Sequence, residues 1–324
     1  MLLADNKLGV NNIPDEMADD LINDLRDIFF IYIYLCFFCI LNLIKKKLIL
    51  IIFIVLRYII IIYLTFLNIL FSQQIVYESK LPKFLDETSA LEYYNGNLLT
   101  LNDSGGEPKL YEFNFDGVLI NQHKIKNVKN HDWESLAVDE DFIYVGDFGN
   151  NFSNRDNLTI LKIDINNFKL VGKIFFYYKN QKNKIYNPLG KFDAEALISY
   201  NDKLILFSKN RKDLTSELFI IPKEIGTYKL EEIDSINTEC LITGADYNNN
   251  LKMLALVGYD FDGNHYIFKI NNFNPNNVHR FIKSRINIGK AQIESIKIID
   301  NNTFWLTSED EGYTKSPRLF KIIF

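Results

Sequence analysis

Residues 134–175 form a compact unit: Glu134-Ser-Leu-Ala-Val138, Phe142-Ile-Tyr-Val-Gly146, a polar loop opening Asp147-Phe-Gly-Asn-Asn151, Leu158-Thr-Ile-Leu-Lys162 and Lys169-Leu-Val-Gly-Lys-Ile-Phe175. Short runs rich in β-branched and aromatic residues, punctuated by Asn, Asp and Gly, predict successive antiparallel strands. The unit recurs. Acidic residues open corresponding segments at Glu87, Glu134, Glu195, Asp246 and Glu294, at intervals of 47, 61, 51 and 48 residues. A second strand follows each, as in Lys203-Leu-Ile-Leu-Phe207 and Thr303-Phe-Trp-Leu-Thr307, then a polar loop and a third strand such as Glu217-Leu-Phe-Ile-Ile221. One small sheet cannot bury both faces without neighbours. Four-stranded repeats of about 40–50 residues therefore predict the blades of a β-propeller.

The fifth unit stops after its third strand, Arg318-Leu-Phe-Lys-Ile322, while an unassigned strand, Gln74-Ile-Val-Tyr-Glu78, precedes the first. That strand can complete the last blade and close the ring. The fold expected for residues 74–324 is thus all-β and five-bladed. A six-bladed ring is the alternative and would need a further repeat inside the 61-residue interval. Residues 74–324 carry a net charge of −4, which excludes a nucleic-acid protein held by a basic face. Aromatics at 14% of the chain argue against disorder.

The front differs in texture. Residues 1–27 are acidic, with a local charge of −5, and read as an N-terminal segment or an over-extended start. Residues 28–73 contain no acid and read as a hydrophobic helical membrane segment or signal-anchor. Ile28 to Ile44 is one apolar run. After Lys45-Lys46-Lys47 comes a second, Leu48 to Phe71, interrupted by Arg57 and Asn68. A membrane-crossing helix needs about 20 apolar residues, so the second run is long enough. The lysine triplet should stay cytoplasmic, sending the propeller outside, periplasmic or extracellular. Membrane contact is expected through residues 28–71, with secretion instead if the segment is cleaved near Ser72–Gln74. Cys36-x-x-Cys39 lies inside an apolar run, where a redox or metal pair would lack polar access.

The runs Leu101-Asn-Asp-Ser-Gly-Gly106, Asp132-Trp-Glu-Ser-Leu-Ala137 with Tyr144-Val-Gly-Asp-Phe-Gly-Asn150, Phe192-Asp-Ala-Glu-Ala196, Ile242-Thr-Gly-Ala-Asp246 and Ile293-Glu-Ser-Ile296 resemble exported bacterial β-propeller proteins of the phytase-like and esterase-like (SdiA-regulated-like) group. The resemblance covers about 80–324 and none of the front. It implies an exported propeller with a hydrolase among its activities, although the dense Asp-rich calcium loops of a phytase are missing.

In a propeller, the loop into the first strand and the loop between the second and third strands open on one face. The five repeated acids should therefore ring one mouth, joined there by Asp103, Asp147, Asn150, Lys209 and Glu309. Carboxylates held close must be protonated, paired with cations or bound to metal. Glu87, Glu134, Asp147, Asn150, Glu195 and Glu294 are the candidate metal ligands, and an all-oxygen set suits calcium rather than zinc. A residue repeated in every blade can equally serve the blade itself. The residues that break the repeat are thus the catalytic candidates: His131 as a general base beside two acids, with Lys209 and Arg155 as cations for a phosphate or carboxylate. Trp133 and Trp305 read as inter-blade packing. Two functions follow: a divalent-metal-assisted hydrolase of phosphoester, ester or lactone substrates, or a non-catalytic propeller of the cell envelope that binds a small-molecule or surface ligand.

Overall fold

The computed structural model describes residues 23–35, 55–63, 73–181, 185–289, 291–309 and 316–324. The chain divides into two compact units, Met1–Ser72 and Gln73–Phe324.

In the first unit, residues 23–35 and 55–63 are helical, and Phe29 stacks on Tyr63 with ring centroids 5.7 Å apart. Among the described residues no helix is long and apolar enough to cross a membrane. Cys36, Cys39, the lysine triplet and most of both apolar runs lie outside the described residues.

The second unit is a five-bladed propeller. It opens with β1 (Gln74–Lys80). Blade 1 is β2 (Glu92–Tyr94), β3 (Asn97–Thr100), β4 (Lys109–Phe113) and β5 (Leu119–Lys124). Blade 2 is β6 (Trp133–Val138), β7 (Phe142–Asp147), β8 (Thr159–Asp164) and β9 (Leu170–Tyr178). Blade 3 contains β10 (Ala194–Tyr200), β11 (Lys203–Ser208), β12 (Thr215–Pro222) and β14 (Glu232–Asn237). The strand before β14, β13 (Gly226–Leu230), leaves that blade and pairs in parallel with β9 as a fifth, outer strand of blade 2. Blade 4 is β15 (Leu241–Asn248), β16 (Met253–Tyr259), β17 (His265–Ile270) and β18 (Ile282–Ile286). Blade 5 is β19 (Ile293–Ile298), β20 (Thr303–Ser308) and β21 (Arg318–Ile323), completed by β1 running antiparallel to β21 from Gln74↔Ile323 to Lys80↔Arg318. The ring closes as the spare strand predicts. The 61-residue interval holds the long strand β9 and the connection 179–193, so the six-bladed alternative is excluded.

Period-two alternation explains the stacking, because it gives each blade two apolar faces. In β11, Leu204 and Leu206 enter the cluster between blades 2 and 3, while Ile205 and Phe207 enter the one between blades 3 and 4. Further clusters fill the seams between blades 4 and 5, 1 and 2, and 5 and 1. Trp133 is fully buried in the 1–2 seam and Trp305 lies in the 5–1 seam, both as packing residues. Hairpin chemistry is local: Asn95-Gly96 joins β2 to β3 with φ of 48° and 80°, the left-handed pair that a two-residue turn requires.

Candidate functional site

The innermost strands carry the site at the end where they enter their blades. Each of β6, β10, β15 and β19 breaks register there, skipping Glu134, Glu195, Thr243 and Glu294. Such a bulge leaves one residue outside the ladder and re-aims its side chain. Blade 1 aligns through its hydrogen bonds: Asp103 N donates to Glu87 O at 2.9 Å, as Lys209 N does to Asp193 O at 2.7 Å and Glu309 N to Gln292 O at 3.0 Å. Glu87 therefore matches Asp193 and Gln292, and Ser89 stands where Glu195 and Glu294 stand. The expected five-fold ring of acids is three-fold at this position: Ser89 and Thr243 replace the other two carboxylates.

Asp246 is displaced most. It lies three residues past the bulge, about 10 Å along β15, and accepts from Lys297 at 2.7 Å and from the Ile298 N–H at 2.8 Å. Lys297 also pairs with Glu92. This buried trio ties blades 4, 5 and 1 together, away from the mouth. Burial pushes the Glu92 carboxyl up to about 7, although Lys297 pulls it down.

At the mouth, Asp103, Asp132 and Glu134 each offer an oxygen within 4.8 Å of the others. Glu134 is only 4% exposed. No described residue gives its carboxylate a hydrogen bond or an ion pair. Gly149 makes room for this group, because a Cβ there would collide with the Glu134 carboxylate and the Asp132 carboxyl. Burial holds Glu134 well above the usual carboxylate range, reinforced by Glu195 and Asp103. Burial, then Asp132, raises Asp103 to about 7. Burial, then Glu294 and Asp103, raises Glu309 to about 9. Burial and mutual repulsion thus favour the protonated form of these carboxyl groups.

The nearby cations are already engaged. Arg155 bridges Asp147 at 3.0 Å and Asp132 at 3.4 Å and donates to Gly149 O at 2.6 Å. Lys209 is buried against Glu195 at 3.1 Å; burial disfavours its charge, but Glu195 and Glu294 outweigh that and hold it well above its ordinary value. Arg211, which the sequence reading overlooked, pairs with the fully buried Asp193 and reaches Glu195 at 3.6 Å. Its signal was its place two residues after Lys209 in the same polar loop.

The other expected ligands are separated by their partners. Asp147 takes His131 Nδ1 at 2.9 Å, Arg155 and the Asp132 N–H. Asn150 is a fastener: its Nδ2 donates to Phe192 O at 2.7 Å and its Oδ1 accepts from Arg155 N at 2.8 Å. Glu87 is an exposed rim residue, and Glu294 accepts from Gln292. Of the six expected ligands, the close group contains Glu134 alone, with Asp103 and Asp132 as its companions.

His131 keeps its side chain 51% exposed while Asp147 grips its Nδ1, which leaves Nε2 toward solvent. That is the geometry of an oriented base, with Asp147 linked through Arg155 to the Asp132 carboxylate. The three-carboxylate group also passes a donor test for calcium. Calcium takes oxygen at about 2.3–2.6 Å, so two of its ligands lie at most about 5 Å apart. Asp103, Asp132 and Glu134 would supply the protein oxygens. Zinc is a poor fit, since Cys240 is buried in the seam between blades 3 and 4.

No protein-family profile and no curated protein matches the sequence. Solved structures with a similar course include the PQQ-bound aldose sugar dehydrogenase of Streptomyces coelicolor, with TM-score 0.48 at 11% identity over 78% of this chain and 98% of that one. An exo-β-1,3-galactanase of Phanerochaete chrysosporium follows with 0.47 at 8% identity, over 77% and 63%. The tail fiber of Staphylococcus aureus phage P68 gives 0.46 at 12%, over 78% and 52%. These are likenesses of fold. The five closed blades establish the chain from Gln74 to Phe324 as a β-propeller.

Proposed function

We propose that this propeller is a divalent-metal-assisted hydrolase, with calcium at Asp103, Asp132 and Glu134 and His131 as general base. One observation carries the reading: among the described residues the buried Glu134 carboxylate has no hydrogen-bond or ion-pair partner, and it sits within 4.8 Å of two further carboxyl groups. Without a counter-charge the buried group holds a proton, and a bound cation would displace that proton and keep the carboxylate charged. The metal, when bound, would polarise a carbonyl or phosphoryl oxygen. The chain's own residues do the rest. Asp147 fixes the His131 tautomer, and Arg155 holds Asp147 and Asp132 in mutual register. Substrate is a phosphoester, ester or lactone, in keeping with the resemblance to phytase-like and esterase-like propellers. The propeller works outside the cytoplasm, held by residues 28–71 or released after cleavage near Ser72–Gln74; the Lys45–Lys47 triplet ahead of the long apolar run supports that orientation.

The second reading is a non-catalytic binding propeller of the cell envelope, in which the same charged mouth captures a ligand; the shaft below is closed where Ala90, Ser135, Gly244 and Ser295 meet, which confines a ligand to that mouth. The full-length chain should carry one equivalent of calcium by elemental analysis. His131→Ala should retain the metal and lose turnover of a p-nitrophenyl ester or phosphate, while Glu134→Gln should lose both. A wild-type chain without stoichiometric metal ends the hydrolase reading.

A further inference from the structure

We infer that an apolar ledge beside the mouth seats the acyl part of the substrate, so that the substrate class is an ester or lactone of a hydrophobic acid rather than a phosphoester; this rests on the hydrolase reading above. The ledge is built from residues of two segments that depart from the blade repeat, the loop 148–157 and residues 185–193, with Gln181 beside them. Phe152 and Tyr186 stack with centroids 4.7 Å apart and planes 20° apart, yet remain 45% and 62% exposed. Ile185 and Leu189 beside them are more than half exposed. The scaffold beneath is fixed: Asn187 N donates to Phe152 O at 2.8 Å, and Gln181 Nε2 donates to Ser153 O at 2.7 Å. Beside Tyr186 lies an open pocket of about 390 Å³, bordered also by Ser153, Gln181, Ile185 and Phe192, within the size range of small-ligand sites.

Position gives the ledge its meaning. Gly149 lies against the Glu134 carboxylate, and Phe152 follows three residues later, so the chain places it within about 11 Å of that contact. Large apolar side chains grouped in water mark a binding surface more often than a neutral one. A polyanionic phosphoester has nothing apolar to lay there, and Arg155, Lys209 and Arg211 are already paired with carboxylates. An ester with a hydrophobic acid matches both parts. Its carbonyl reaches the acidic mouth and its chain covers Phe152 and Tyr186. In the reaction, the oxygen of water bonds to the acyl carbon and the acyl C–O bond breaks. His131 takes the proton from water and passes it to the departing alkoxide, giving one carboxylic acid and one alcohol.

The test uses the full-length chain in lipid nanodiscs with calcium, and p-nitrophenyl acetate, hexanoate and phosphate as probes. Hexanoate should exceed acetate at least tenfold in kcat/KM. The double variant Phe152→Ser, Tyr186→Ser should bring that ratio to within threefold, with the loss falling on the KM for hexanoate. A variant that keeps the chain-length preference overturns the ledge, and turnover of the phosphate alone overturns the substrate class while leaving the hydrolase standing. If no probe is hydrolysed, the hydrolase reading fails and a second readout judges the ledge. In Tyr186→Trp, hexanoate should shift the fluorescence to the blue. A shift produced by the nanodisc lipid and not by hexanoate would make the ledge a membrane contact and overturn the proposal.

Discussion

Stripped of divalent metal, the protein should lose stability as the pH rises from 5 to 8, the reverse of ordinary acid denaturation. The cause is the mouth. Asp103 is raised from 3.8 to about 7, chiefly by burial and then by Asp132. A carboxyl with a folded pKa above its unfolded value binds more protons in the native state. Its contribution is therefore complete below about pH 4 and is lost as pH climbs through 7. At about 1.4 kcal/mol per unit, a rise of about three units sets a ceiling near 4 kcal/mol. The neighbouring carboxyls titrate with it and water reaches its rim, so about 2 kcal/mol is the working figure. For a body of this size that is a fall in midpoint of about 4–8 °C. Calcium at one hundred times its dissociation constant would return about 2.7 kcal/mol. The assay is a melting curve of the full-length chain at pH 5, 6, 7 and 8, in chelator and in calcium. Glu92 at the buried trio contributes a slope of the same sign, so Glu134→Gln and Glu92→Gln are run beside the wild type. Only the first should abolish the calcium response. A metal-free midpoint that is flat or rises between pH 5 and 8 would refute the reasoning.

Three other outcomes are expected. Deleting Gln74–Lys80 should lower the midpoint by more than 10 °C, because it strips β21 of its outer partner along its whole length and leaves β21 as an open sheet edge; an unchanged midpoint would mean that the ring does not depend on its closure. Lys297→Met should cost about 3–5 kcal/mol in denaturant unfolding, since Glu92 and Asp246 would stay buried without a counter-charge, and Glu92→Gln in the same chain should recover part of it. A cytoplasm-specific reporter fused after Phe324 should be inactive and a periplasm-specific one active; the opposite pattern would contradict export.

The blade count and the closing strand were legible because a propeller repeats one burial problem five times, and each solution writes the same alternation into the sequence. Leu204-Ile-Leu-Phe207 in β11 and Met253-Leu-Ala-Leu-Val257 in β16 are apolar on both faces, as strands clamped between two blades must be. The mouth was less legible. The bulge position carries an acid in three blades only, and in the other two the acid that the spacing picks out, Glu87 or Asp246, lies two or three positions from the place held by Glu134, Glu195 and Glu294. Partner choice was also hidden. Nothing in the spacing told Asp147, which holds His131 and Arg155, from Asp103, which joins Glu134. The parallel strand Gly226–Leu230 escaped for a similar reason, because its neighbour β9 belongs to the preceding blade.

The pairing of β1 with β21 also sets the order in which this molecule can be built. Gln74 and Ile323 are ladder partners from opposite ends of the propeller. During synthesis at about 5–20 residues per second, β1 emerges first and waits roughly 12–50 s for its mate. Blades 1 to 4 can form while it waits, since none of their ladders needs a strand from beyond blade 4. Throughout that interval β1 is an orphan edge, able to join any strand that presents itself. Its residues suit the delay: Glu78 and Lys80 put charge on the edge, and Glu78 later meets Arg318 at 3.0 Å. The last strand to appear thus arrives with the ion pair that identifies its partner.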